Sequence, residues 1–268
     1  MKSSLVVSLA GSATLLVSGS LVAALLQNNG WESGIPWKTP AKVDPGEIRG
    51  PTPVPSDAIV LFDGTSLDAW RRQGAGGGDD APRWQVNDDG SATVRGGSIE
   101  TRQSFGDVQL HLEFMTPLGE DERDGQGKGN SGLFFIGPYE VQILDSFENE
   151  TYVDGQAAAI YKQSPPLVNA SRAPGEWQAY DVVFEAPHFD ADGELEEPAY
   201  LTVFHNGVVV QHRFPLKGAT SFDRPPAYET TAERGPISLQ DHSNPVKFRN
   251  IWVRELTLND ADRQEPTR

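Results

Sequence analysis

From Ala58 onward the chain breaks into short runs in which apolar and polar side chains alternate, each run bounded by Gly, Pro, Asn or Asp. Successive side chains on a strand point to opposite faces, so this period of two predicts strands with one buried face. Val108, Leu110, Leu112 and Phe114 form one such apolar face, opposed by Gln109, His111 and Glu113. Residues 133–136 are continuously apolar, as expected of a central strand buried on both sides. Tyr139, Val141 and Ile143 alternate with Glu140 and Gln142, and further strands are predicted over 177–184, 201–205, 208–214, 237–240 and 248–256. Asn206-Gly207 separates two runs and predicts a type I′ hairpin, whose two central positions need positive φ. The strands show no fixed-length repeat. The pattern therefore predicts an all-β fold, a two-sheet antiparallel sandwich of jelly-roll or lectin-like type rather than a propeller.

The ends of the chain read differently. After Lys2, residues 5–26 are uncharged, apolar and rich in Ser, Gly and Ala, with small residues at Ala23-Ala24. This reads as a Sec-type signal sequence over 1–26, also just long enough to act as an uncleaved membrane anchor. Either reading makes the domain exported, periplasmic or secreted, with a membrane contact only through that segment. Residues 27–55 carry Pro36, Pro40, Pro45, Pro51, Pro53 and Pro55 and are expected to form an extended Pro/Gly-rich linker, with Trp31 and Trp37 packed loosely on the domain edge. One folded domain is expected over 56–258, followed by a polar tail at 259–268.

The formal charge is −16 and the isoelectric point about 4.6. Such a surface repels phosphate backbones, and without a basic stripe it argues against nucleic acid as a partner. Neutral sugars and cations are compatible with it. With no cysteine, disulfides, thiolate metal sites and cysteine nucleophiles are excluded.

The same parity sorts the polar residues. If Val141 and Ile143 face the core, Glu140 and Gln142 share the outer face. If Ile237 and Leu239 face inward, Ser238, Gln240 and His242 point outward. Two strands then each offer an amide beside a proton carrier, and amides grip hydroxyls while a carboxylate and an imidazole move protons. Plainer readings stand beside this one. Glu140 and Gln142 also fit the wet face of an antiparallel strand, and His242 fits a hydrogen-bonded turn residue. Asp145 falls on the core side at a strand end, where it can bond a loop backbone or ligate an ion. His205 reads as structural, whereas His111, His188 and His212 read as surface positions. Lys162 fits a plain surface lysine. The segments 120–129 and 190–197 read as solvated loops, and Gly74-Ala-Gly-Gly-Gly78 as a flexible one. No P-loop, dinucleotide fingerprint, Ser-His-Asp order or His-x-x-x-His pair occurs.

Seven blocks in order across about 58–257 resemble the 3-keto-disaccharide hydrolase family. They are Leu61-Phe-Asp-Gly-Thr-Ser-Leu-Asp-Ala-Trp70, Asn130-Ser-Gly-Leu-Phe134, Tyr139-Glu-Val-Gln-Ile-Leu-Asp145 and Ala159-Ile-Tyr161. Val168-Asn-Ala-Ser-Arg172 follows, with Gly175-Glu-Trp177, then Val203-Phe-His-Asn-Gly207, and finally Gly235-Pro-Ile-Ser-Leu-Gln-Asp-His242 running into Phe248-Arg-Asn-Ile-Trp-Val253. Ala158-Ala159 stands where family members often carry a glycine. The resemblance implies a concanavalin A-like lectin/glucanase jelly roll that acts on glycosides oxidised at C3. A C3 ketone acidifies the C2 proton, so its removal, β-elimination of the C1 aglycone and hydration would complete hydrolysis. That chemistry needs a base, an acid and an enolate stabiliser. Glu140 and His242 are the candidate catalytic pair, in either assignment. Gln142, Gln240, Lys162, Tyr161 and Asn130 are the candidate substrate contacts. The enolate stabiliser is to be sought in Lys162, in an amide, or in a divalent metal held by Glu140 and His242, with Asp145 as a further candidate ligand. A non-catalytic carbohydrate-binding module and a two-carboxylate glycosidase remain the competing readings.

Overall fold

A computed structural model describes residues 30–47, 50–75, 79–119 and 122–258. The expected signal stretch and the polar tail lie outside the described residues, as does most of Gly74–Gly78. No helix among the described residues is long and apolar enough to cross a membrane.

Two antiparallel sheets face each other. The larger runs, in spatial order, through Val208–Pro215, Tyr200–His205, Gln178–Glu185, Val108–Met115, Lys247–Glu255, Ala92–Thr93 and Gln85–Val86, with Ile59–Phe62 also pairing to Lys247–Glu255. The smaller runs through Trp70–Arg72, Ile99–Thr101, Ile237–Leu239, Ser131–Phe135 and Tyr139–Ile143. The predicted strands fall within these bounds to a residue or two. Asn206 and Gly207 have φ of 54° and 81°, so both central positions of the hairpin take the left-handed conformation that the dipeptide predicts.

Alternation builds the core. Val108, Leu110, Leu112 and Phe114 are fully buried from the large sheet, and Leu133, Val141, Ile143, Ile237 and Leu239 meet them from the small one. Phe135 of the small sheet stacks on Phe184 of the large sheet with ring centroids 4.7 Å apart. The Tyr180 hydroxyl reaches across and donates to the Gln142 carbonyl at 2.8 Å. The two sheets are therefore locked by aromatic contacts and by one buried polar strut.

Several expectations change here. His111 is fully buried, not at the surface: its ring stacks on Trp252 and its Nδ1 lies 2.7 Å from Asp181 Oδ1. His188 is half-buried beside Glu233, whereas His212 is exposed. His205 is buried against Gln178 Oε1, and burial pushes its pKa down to about 3, so it serves packing as a neutral ring. Residues 190–197 form a short exposed ribbon, with His188–Phe189 paired to Leu195–Glu197.

The proline-rich segment is extended, as expected, and is laid onto the domain at several points. The Trp31 amide donates to the Phe222 carbonyl at 2.7 Å. Ala41–Lys42 pairs in parallel with Val168–Asn169. Thr52 donates to Glu113 Oε1 and accepts from Asn250 Nδ2. Gly30 is required at the first attachment, because at φ 67° a Cβ there would sit 2.0 Å from the Phe222 carbonyl oxygen. This segment is an arm that wraps the sandwich.

Candidate active site

The outer face of the small sheet carries a pocket of about 620 Å³. Glu140 and Gln142 enter it from one strand, Phe134 from the next, and Gln240 and His242 from the end of the third. Loops complete it: Gln126 and Asn130 on one side, Tyr152 and Tyr161 on another, and Thr220, Ser221 and Phe222 as the remaining rim. The structure thus gathers Glu140, His242, Gln142, Gln240, Tyr161 and Asn130, as the parity and the resemblance led us to expect. Phe134 departs from the reading of 133–136 as buried on both faces, since it is half-buried and forms an apolar floor.

Glu140 is no wet-face residue. It is only 6 % exposed, and burial raises its pKa to about 8. Its carboxyl fits because residue 132 on the neighbouring strand is glycine: a Cβ there would lie 2.5 Å from Glu140 Oε1 and 2.7 Å from Phe134 Cε2. One terminal atom of the Gln142 amide lies 3.1 Å from Glu140 Oε1 and 2.9 Å from the Ser131 carbonyl oxygen. The other lies 2.9 Å from Gln126 Oε1. With its NH₂ towards Glu140 the amide donates to both the carboxylate and Ser131. In the opposite orientation it donates to Gln126, and a protonated Glu140 supplies the hydrogen between the two oxygens. Amide orientation and the charge of Glu140 are therefore linked. Gln126 is itself fixed, because its Nε2 donates to the Gly155 carbonyl at 2.8 Å and to Thr151 Oγ1 at 3.1 Å.

His242 is exposed, on a turn clamped from both sides. Asp241 Oδ2 accepts from the Gly97 amide and its Oδ1 from the Ser243 amide, while Asn244 Nδ2 donates to the His242 carbonyl. The capping work falls to Asp241 and Asn244, which leaves the imidazole facing the pocket. Gln240 is set by its amide donating to the Gly132 carbonyl at 3.0 Å and by Ser131 Oγ donating to its own carbonyl at 2.7 Å. Tyr161 sits on a loop that docks along the edge strand, where the Gln142 amide donates to the Ala159 carbonyl and the Ala158 amide to the Gln142 carbonyl. Ala158 holds φ 63° in this loop, a conformation glycine adopts without strain. The Tyr161 and Tyr152 hydroxyls are 2.8 Å apart, and burial pushes the Tyr161 phenol up to about 12, so it remains a neutral donor.

Two expected contacts fall elsewhere. Lys162 does not line this pocket, and it is no surface lysine: it is 2 % exposed, 3.7 Å from Asp154 Oδ1, with its ammonium 4.3 Å from the centre of the Tyr152 ring. Its φ of 61° turns it away from the parity of Tyr161. Asp145 is buried and committed to structure, accepting from the Phe147 amide and pairing with Lys128 at 3.2 Å. Among the described residues no three of His, Asp and Glu gather to hold a metal ion. Glu140 and His242 share their pocket with amides and phenols, a donor set that does not make a cation cage. Gln126, Phe134, Tyr152 and the 220–222 rim escaped the sequence reading; segment 120–129, expected to be a solvated loop, supplies Gln126.

A lectin-type jelly roll with an acid and an imidazole in one polar, aromatic-sided pocket is the class of protein that the fold and site define. The chain belongs to the 3-keto-alpha-glucoside-1,2-lyase-like domain family, whose model matches residues 57–254. A Bacteroides thetaiotaomicron protein named 3-keto-disaccharide hydrolase is 25 % identical over 248 residues, covering 76 % of this chain and 80 % of the relative. A crystal structure of a candidate glycosyl hydrolase from Parabacteroides distasonis is 43 % identical, with a TM-score of 0.71 over 78 % of this chain and 94 % of that one. A second Parabacteroides distasonis structure, 20 % identical with a TM-score of 0.54 over 75 % of this chain and 94 % of that one, shares the fold.

Proposed function

We propose that the protein hydrolyses glycosides whose sugar carries a ketone at C3, by proton removal at C2, loss of the C1 oxygen and hydration of the resulting enone. The observation that carries this reading is Glu140, a buried carboxyl with its pKa raised to about 8 in the same pocket as the exposed His242. A carboxyl that keeps its proton at neutral pH is suited to be an acid. His242 takes the C2 proton, and the enolate oxygen accepts hydrogen bonds from pocket amides and the Tyr161 phenol. As the C1–O bond breaks, Glu140 gives its proton to the departing oxygen. Glu140 then removes a proton from the water that adds at C1, and His242 returns its proton to C2. Both groups end as they began, and the net change is addition of water across the glycosidic bond.

Among the described residues lining the pocket, Glu140 is the sole carboxylate, which disfavours the paired-carboxylate route. The uncharged stretch at 5–26 supports an exported protein.

Leaving-group dependence tests the assignment. With a 3-keto-glucoside of a sugar alcohol, Glu140→Gln should lower kcat by about 10²–10⁴, the usual contribution of a positioned acid or base. With the p-nitrophenyl 3-keto-glucoside, whose leaving group needs no proton, the same variant should lose far less. Equal losses on both would remove the acid role, and turnover of the unoxidised glycoside at the same rate would remove the elimination route.

A further inference from the structure

A second pocket, of about 380 Å³, lies between the arm and the loop behind the active site. Glu32, Ser33 and Trp37 line it from the arm, and Tyr152, Asp154 and Lys162 from the domain. Tyr152 lines both pockets, so they meet at one aromatic side chain. The arm is also joined to the far rim, because Trp31 donates to the carbonyl of Phe222, which itself lines the active-site pocket. The arm therefore walls the second pocket and is tied to the rim of the first.

The chemistry of this second pocket is that of a sugar site. Trp37 offers an indole ring to the C–H side of a pyranose, one face of Tyr152 being taken by the Lys162 ammonium, while two carboxylates, a hydroxyl and a lysine offer partners to hydroxyls. The turn that presents Trp37 is closed by its amide donating to the Ile35 carbonyl and by the Ile35 amide donating to Ser33 Oγ. Trp37 Nε1 is a buried donor with no protein acceptor. Being buried, that N–H is out of a ligand's reach, so this wall offers a ligand the indole ring alone.

We propose that this arm-built pocket is the subsite for the departing half of the substrate, a pyranose-sized polyol, and that Trp37 is a specificity-determining residue. The assignment of the departing half rests on the function proposed above; the sugar-binding character of the pocket does not. A unit bound in the active-site pocket would have its neighbour carried past Tyr152 into the arm pocket. Substrates that lack a second ring would leave that space unfilled.

The test compares the full chain with Trp37→Ala and Trp37→Phe on 3-keto-trehalose and on methyl 3-keto-α-glucoside, which has no second ring. The ratio of kcat/KM for the disaccharide to that for the methyl glycoside should fall about tenfold in Trp37→Ala, the scale of one lost aromatic contact. Trp37→Phe, which keeps a smaller ring, should fall between. An unchanged ratio would overturn the proposal, including the case where both substrates suffer equally because the arm merely detaches. Calorimetric titration with unoxidised trehalose separates the two readings. If the wild type turns over neither keto-sugar, a Kd about tenfold weaker in Trp37→Ala would still uphold the subsite while the catalytic reading fails. Trehalose affinity that ignores the variant, or no trehalose binding at all, would overturn the subsite.

Discussion

Gly132 stands across the strand pair from the Glu140 carboxyl, so close that a single added methyl carbon would fall 2.5 Å from Oε1. The neighbouring strand carries a hole shaped for the acid. Gly132→Ala should displace the carboxyl by an ångström or so and lower kcat about 10–100-fold on a 3-keto-disaccharide. Overpacking should cost about 1–3 kcal/mol, read from the denaturation midpoint. A variant with full activity would show that the carboxyl's position does not matter.

The raised pKa of Glu140 makes a signed prediction about stability. The unfolded carboxyl titrates near 4.5 and the folded one at about 8, so between these values the folded state holds a proton the unfolded state has released. Stability is full below pH 4.5, falls as pH rises, and levels off above about 8. Glu140→Gln should erase this slope and exceed the wild type by about 1–3 kcal/mol at pH 7.5. Melting temperatures from pH 4 to 9 measure it, and parallel curves for the two proteins would contradict the buried acid.

How far these residues could be read from the sequence depends on what period two encodes. It assigns a face, and it did so for Glu140, Gln142, Gln240, Val141 and Leu239. It does not say what covers that face. Loops that no periodicity describes bring Gln126, Tyr152 and Phe222 to the pocket in which Glu140 is buried, so the wet-face alternative fails. The Gln126 position carries a usable sign only in hindsight, in Asn149 bonding both the amide and the carbonyl of Gly125. Lys162 escapes the parity rule because its backbone is left-handed beside Tyr161. The arm has the sequence of a spacer because proline content reports extension, and a two-residue parallel pairing leaves no pattern.

Lys162 and Asp154 form a buried pair whose partners depend on each other. Burial raises the Asp154 pKa, and the lysine opposes that. Lys162→Met should destabilise the fold by about 3 kcal/mol, because it leaves a buried carboxylate uncompensated. The double variant with Asp154→Asn should recover part of that loss, and urea titration of all four proteins gives the coupling. Strict additivity would show that the pair does not act together.

His242 makes the opposite prediction. Its side chain is exposed and its turn is held by Asp241 and Asn244. His242→Ala should therefore lower kcat by about 10²–10⁴ while shifting stability by less than about 0.5 kcal/mol. Loss of activity accompanied by a collapsed melting temperature would mark the imidazole as structural.

The arm also constrains the order in which the molecule can assemble. Its bond from Asn250 to Thr52 joins residues 198 positions apart, and its attachment at Phe222 needs a rim that itself hangs on the carbonyl of Pro138. Contacts so distant along the chain close large loops, whose entropy is repaid only when the surfaces they join already exist. The arm precedes the sandwich in the chain yet can dock only after it. The outer wall of the second pocket is thus the last part of the protein to form, and a folding intermediate with both sheets complete would hold Glu140 and His242 in place while that second pocket still stood open on one side.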